Sequence, residues 1–266
     1  MAFNVPDIDE TQAPLLDHLV ELRARLLRAI AAVVVAFAAC LYFAGDIFGF
    51  LIRPLTAAFP PGQGKLVYTK LYEAFFVEIK VALFAAFFIS FPVIANQLWS
   101  FVAPGLYAKE KKAFLPFLIA TPVLFTMGAA LAYYVVMPTA FKWMLGFQGE
   151  KGGLNIEALP AAGDYLGLVM QFILAFGISF LLPVLLLLLN RAGIVSRTKL
   201  ISLRRYVIVA LTGFAAIITP PDLMSQIMLL IPLMLLFEGS LVVMWLGERK
   251  EAKAAVVPAE VPEVLP

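Results

Sequence analysis

Six apolar stretches, separated by short polar ones, run along the chain over 29–48, 74–94, 114–136, 165–189, 206–218 and 223–246. A helix rises about 1.5 Å per residue and the hydrocarbon layer is about 30 Å thick, so about 20 apolar residues make a span. The fifth stretch is short and would reach only about 20 Å. Backbone amides in lipid need internal partners, so each stretch is predicted to be helical. The expected fold is an all-α integral membrane protein with six transmembrane helices. Residues 1–28 form a cytoplasmic amphipathic segment, 29–246 the membrane domain, and 247–266 a disordered cytoplasmic tail rich in proline. Pro92, Pro116, Pro122, Pro183 and Pro232 fall inside spans and predict kinks. Two readings of them stand side by side: tolerated bends, or proline-bent helices forming a concave wall.

Basic residues set the expected orientation. Arg23, Arg25 and Arg28 precede the first span, and Lys109, Lys111 and Lys112 lie between the second and third. Arg191, Arg197, Lys199, Arg204 and Arg205 lie between the fourth and fifth, and Arg249, Lys250 and Lys253 follow the sixth. The alternate loops are poorer: Arg53, Lys65 and Lys70 in one, Lys142 and Lys151 in the next, none in 219–226. Six spans with both termini in the cytoplasm satisfy every loop. This parity supports counting the short fifth stretch. The acidic first residues lack the basic region of a secretory signal. Ala29–Ala39 before Cys40 resembles a lipoprotein cleavage box, but Phe37 suits it poorly and the apolar run continues through Phe43. The first span is therefore read as an uncleaved anchor.

Composition agrees. The chain has 266 residues, 62% hydrophobic and 14% charged, with a mean hydropathy of +0.94. A soluble domain is nearer 45–50% apolar and about 25% charged. A net charge of +2 gives no nucleic-acid footprint. One cysteine, Cys40, excludes an intrachain disulfide and a thiolate metal site. One histidine, His18, excludes a zinc site of several His ligands. Neither a phosphate loop nor a nucleophile elbow is found. The expectation is no enzyme and no cofactor.

Polar groups gather at the helix ends. Asp17, Glu21, Arg25 and Arg28 recur at helical spacing on one stripe, opposite Leu15, Leu19, Leu22 and Leu26. An amphipathic helix lying at the interface, then turning into the membrane, fits this. Taken alone, Glu21 is best read as the i,i+4 partner of Arg25. His18 is read as an interfacial residue. The second cluster is read as a loop from Gln97 to Lys112, with Trp99, Phe101 and Tyr107 as headgroup anchors, a Pro104-Gly105 turn and one acid, Glu110. The third is Thr219-Pro-Pro-Asp-Leu-Met-Ser-Gln, where Asp222 is placed to cap the last span and Gln226 to bond across helices. Glu238 is the one carboxylate deep in a span, about 12 Å from its cytoplasmic end. It should be neutral, paired or beside a polar cavity. Glu78 and Lys80 can reach the interface without a function.

Four runs together carry a resemblance: His18-Leu-Val-Glu-Leu-Arg-Ala-Arg-Leu, Phe101-Val-Ala-Pro-Gly-Leu-Tyr-Ala-Lys-Glu, Ala175-Phe-Gly-Ile-Ser-Phe and Thr219-Pro-Pro-Asp. In this order and spacing, over 7–246, the chain resembles the TatC family, receptor subunits of the twin-arginine protein translocase. The resemblance implies a receptor in the bacterial inner membrane for the twin-arginine signal peptides of folded cargo. It implies export driven by the proton-motive force in an oligomeric complex with the single-span subunits TatA and TatB. Carried onto matching positions, Glu21 and Glu110 would receive the two arginines, with Arg23 and Phe101 shaping the site. Tyr133, Thr219 and Gln226 would form a polar patch for a partner helix, and Glu238 matches an acid of unassigned role. One departure is plain: some members carry a glutamate or glutamine after Ser179-Phe180, where this chain has Leu181. The alternative function is a secondary transporter of a small solute, for which Glu238 is the one mid-membrane candidate. An intramembrane enzyme and a plain scaffold rank below it.

Overall fold

Glu73–Leu106 and Ile8–Tyr42 are long helices that lie along each other, and the bundle builds outward from them. The computed structural model describes residues 8–60, 64–106, 111–219 and 222–255. In chain order the helices are α1 (Ile8–Tyr42), α2 (Ala44–Thr56), α3 (Glu73–Leu106) and α4 (Lys111–Leu131). A π-helical turn, Ala132–Val136, joins α4 to α5 (Met137–Leu145). A small hairpin, β1 (Gly149–Lys151) and β2 (Leu154–Ile156), follows. Then come α6 (Ala162–Ser179), α7 (Leu182–Arg191), α8 (Arg197–Ser202), α9 (Arg204–Ile218) and α10 (Leu223–Ala255).

Among the described residues, five segments are long and apolar enough to cross a membrane: His18–Tyr42, Glu73–Phe101, Pro116–Leu145, Ala162–Arg191 and Leu223–Arg249. The fifth expected span, absent from these five, corresponds to α9, whose 15 residues rise about 22 Å. Several boundaries differ from expectation. The first span ends at Tyr42, because Phe43 breaks the helix and 44–48 belong to α2. The third continues through the π turn to Leu145. The predicted turn near Arg28 is absent, and α1 passes that point unbroken. Nothing in the local sequence forces a bend there, since Arg28, Ala29 and Ile30 all propagate a helix. Residues 97–106 are helix rather than loop, because Pro104 and Gly105 fall in the last turn of α3. At the far end α10 runs to Ala255, past Gly247, where the tail was expected to begin.

Small residues set the close contacts. Cys40 and Ala44 pack on Ala82 and Ala86, bringing α1 and α2 against α3. Ser90 Oγ donates to the Ala32 carbonyl at 3.1 Å. Between α4 and α6 the approach is closer still. A Cβ on Gly128 would come within 2.4 Å of the Phe176 carbonyl oxygen, and one on Gly177 within 2.6 Å of the Phe125 ring. Phe125 and Phe176 are fully buried as a result. The main core adds Phe172, Phe237, Leu229 and Leu233.

Proline acts locally. In α6–α7, Pro183 has no N–H for the Ser179 carbonyl, and the helix breaks at Phe180 and Leu181. Leu181 then lines an apolar cavity of about 560 Å³ together with Trp99, Ser179 and Phe214. In α2, Pro54 cannot donate to Phe50 four residues back. The Tyr133 hydroxyl donates to that carbonyl instead, at 2.6 Å, and the Tyr165 hydroxyl donates to the next one, Leu51, at 2.8 Å. An apolar surround makes such an open carbonyl costly, so the kink is tolerated because other helices supply donors.

Candidate functional site

His18, Glu21 and Arg25 stand at i, i+3 and i+7 on α1 and so share one face. That face is turned toward the rest of the bundle. The Arg25 and Glu21 side chains are 21% and 38% exposed, while Leu19 and Leu26 on other faces are 58% and 55% exposed. A water-soluble helix would turn the leucines inward. Here they point outward, as a lipid-facing surface allows.

The His18 ring stacks on the Phe101 ring, with centroids 4.3 Å apart and planes 22° from parallel. This contact fastens the early turns of α1 to the last turns of α3. Arg25 Nε donates to Glu21 Oε1 at 2.9 Å, and Arg25 Nη2 donates to the same oxygen. The second carboxylate oxygen, Oε2, has no hydrogen-bond partner among the described residues. Arg23 is exposed. Gln97 Oε1, one turn back from Phe101, is buried without a donor among the described residues. Trp99 Nε1 donates to Thr121 Oγ1 at 2.7 Å, and Thr121 donates to the Phe117 carbonyl at 2.7 Å, so the end of α3 is tied to α4. Glu110 lies outside the described residues. The structure thus brings Glu21 and Phe101 to one end of the α1–α3 pair, with Arg23 beside them on α1.

The residues expected for a partner-helix patch are held by separate elements. Tyr133, on the π turn, is buried and stacks on Phe50 with centroids 4.5 Å apart. Its hydroxyl is occupied by the Phe50 carbonyl. Thr219 ends α9, buried, with its hydroxyl on the Ala215 carbonyl at 2.9 Å. Gln226 reaches from α10 to the Thr212 carbonyl of α9 at 3.4 Å, the cross-helix bond the sequence suggested. Asp222 caps α10 as expected, its Oδ2 accepting from Ser225 N at 2.7 Å. Glu238 is paired: Arg204 Nη2 donates to Glu238 Oε2 at 2.8 Å. Arg204 opens α9, where the helix dipole disfavours a cation, and Glu238 offsets that. Among the described residues no group of three or more His, Cys, Asp or Glu side chains is placed to hold a metal.

Three contributors were missed from sequence. Tyr165 has no local signal, since its partner, the Leu51 carbonyl, lies more than 100 residues away in the chain. The His18–Phe101 stack joins positions far apart in the chain. Glu73 was a better prospect, as an acid at the head of an apolar run. Its Oε2 accepts from Thr69 N at 2.6 Å, Thr69 Oγ1 at 2.8 Å and Lys70 N at 3.2 Å, and its Oε1 accepts from Gly163 N at 2.8 Å. This carboxylate ties the loop before α3 to the start of α6. A single parallel bridge, Val67 with Ala161, reinforces the tie.

Comparison with known proteins adds identity to this geometry. Residues 17–232 match the family model described as Sec-independent protein translocase protein (TatC). A Sec-independent protein translocase protein TatC from Magnetococcus marinus is 51% identical over 244 residues, covering 92% of this chain and 88% of that protein. The TatC protein of Escherichia coli K12 is 39% identical over 231 residues, covering 87% of each. The crystal structure of the twin arginine translocase receptor TatC in DDM superposes with a TM-score of 0.74 at 37% identity, covering 85% of this chain and 98% of that one.

Proposed function

Because this chain belongs to the TatC family of Sec-independent protein translocases, we propose that it is the subunit that receives twin-arginine signal peptides at the cytoplasmic face. As a family member it is a multi-pass membrane component of a protein translocase and not an enzyme. In our reading it crosses the bacterial inner membrane six times, α9 being the short fifth span, with both termini cytoplasmic. TatA and TatB are its partners, engaging the outer ends near Tyr133, Thr219 and Gln226. The proton-motive force drives transport.

The stack of His18 on Phe101 is the observation that carries this reading. It keeps the turn bearing Glu21 beside the end of α3, and Glu110 immediately precedes Lys111, the first residue of α4. Glu21 and Glu110 are the two acids for two arginines, with Arg23 and Phe101 flanking them. A guanidinium meets a carboxylate as a planar fork, which lysine cannot reproduce. Arg25 occupies only one oxygen of Glu21, which leaves Oε2 for an incoming peptide. An exposed pair contributes only about 0–1 kcal/mol, so affinity must come also from apolar contact with the peptide's hydrophobic stretch. The pairing of Glu238 with Arg204 weakens the solute-transporter reading, because its one mid-membrane candidate ligand is already neutralised.

The test is photo-crosslinking of a twin-arginine signal peptide to probes at positions 21, 101 and 110 in membrane vesicles. Crosslinks are expected with the native peptide and lost when both arginines become lysines. Equal crosslinking of the two peptides would refute the paired-carboxylate site.

A further inference from the structure

At the end of the bundle opposite His18, the end of α2, the end of α5 and the hairpin wall a cavity of about 770 Å³. Its polar lining is Lys65, Lys142, Gln148 and Glu157. Neither lysine has a carboxylate within ion-pair distance among the described residues. Gln148 Nε2 is buried with no acceptor among them. Glu157 makes an interaction of its own. The wall therefore offers three donors unpaired among the described residues and one net positive charge. Lys65 and Lys142 are exposed, but Gln148 Nε2 is buried, and a buried donor is normally satisfied, so an acceptor is missing there.

Depth identifies the chemistry. Lys142 sits in the last turn of the membrane candidate Pro116–Leu145. Trp143 and Phe147, edge to face at 5.0 Å and 42% and 55% exposed, follow it in the chain. Exposed aromatics at a span end mark the headgroup layer. A phosphodiester carries one negative charge and several acceptor oxygens, which match the donors. By contrast, the cleft of about 330 Å³ lined by Lys70 and Lys80 also holds Glu73 and Asp164, which balance its charge.

We propose that the cavity walled by Lys65, Lys142 and Gln148 binds a phosphate-bearing anion, supplied as the headgroup of an acidic phospholipid. The experiment is native mass spectrometry of the full chain from nonionic detergent, titrated with phosphatidylglycerol or phosphatidylethanolamine. In parallel, thermal unfolding is followed with inorganic phosphate. The chain is expected to retain phosphatidylglycerol in preference to phosphatidylethanolamine. Lys65→Gln with Lys142→Gln should lower that occupancy about tenfold, and Gln148→Leu severalfold. Lys65→Arg with Lys142→Arg should keep it, which separates lost charge from lost fold. Lys70→Gln with Lys80→Gln should leave it unchanged. Equal retention of the two lipids, or retention undiminished in the double glutamine variant, overturns the proposal. Stabilisation by inorganic phosphate that needs the same lysines, without lipid retention, supports the anion site and overturns the lipid as its source.

Discussion

The two ends of the bundle are built on different principles. At the end near α2 and α6, the polar groups of Tyr133, Tyr165 and Glu73 are used up within the chain, while donors unpaired among the described residues line the Lys65, Lys142 and Gln148 cavity beside the hairpin. Tyr133 and Tyr165 close on adjacent carbonyls of α2, and Glu73 collects four donors from two segments. At the His18 end one ring stack joins α1 to the end of α3, and Glu21 Oε2 has no hydrogen-bond partner among the described residues. The closed end fixes geometry, whereas the open end keeps hydrogen-bonding capacity for something outside the chain. Binding surfaces and scaffolds divide in this way because an unspent polar group weakens a fold but serves recognition.

The largest effect should come from the open end and appear in function alone. Glu21→Gln or Glu110→Gln should cut export of a twin-arginine reporter at least about tenfold, since each removes a charge-assisted pair. Glu21→Gln should shift the thermal midpoint in detergent only slightly. A large loss of stability with Glu21→Gln would erase the contrast between the ends. Next is the closed end. Tyr133→Phe should cost about 1–3 kcal/mol in detergent unfolding, because the Phe50 carbonyl loses its donor. Pro54→Ala should recover part of that loss by restoring an N–H to the same carbonyl. If the double variant is no better than Tyr133→Phe, the proline account of this hydrogen bond is wrong. Smaller again is His18→Ala. Losing the stack should cost about 0.5–1.5 kcal/mol and loosen α1 from α3, measured as slower disulfide formation between cysteines placed on the two helices. The most local effect belongs to Gly163→Ala, whose Cβ would lie 2.8 Å from Glu73 Oε1. Amide exchange at Thr69 and at position 163 should rise while that of the α4–α6 core stays constant.

Much of the fold was legible along the chain. Lengths and apolarity gave helices close to the observed ones, and Asp222 declared itself as a cap. Glu21 with Arg25 was readable as an i,i+4 pair. Less legible was the course of the helices through their punctuation. Arg28 does not bend α1, and Pro104 does not end α3 before Leu106, whereas Pro183 does break α6 from α7. The same residue type gives different outcomes because lost hydrogen bonds can be replaced by neighbours at one site and not at another. Of the site, Glu21 and Phe101 were visible as residue types, but that His18 would be the fastener was not.

By itself the sequence determined that this protein is helical and membrane-embedded, and it carried the runs that mark the family. Those properties arise from length, hydropathy and near-neighbour spacing, which act along one helix. Only the tertiary structure decided that the polar face of α1 meets α3, that Tyr133 answers the gap opened by Pro54 while Tyr165 takes the next carbonyl, and that Arg204 neutralises Glu238. Each of these joins residues 30 to more than 100 positions apart in the chain. A local pattern can state that a carbonyl or a charge needs a partner, but packing in three dimensions chooses which partner arrives.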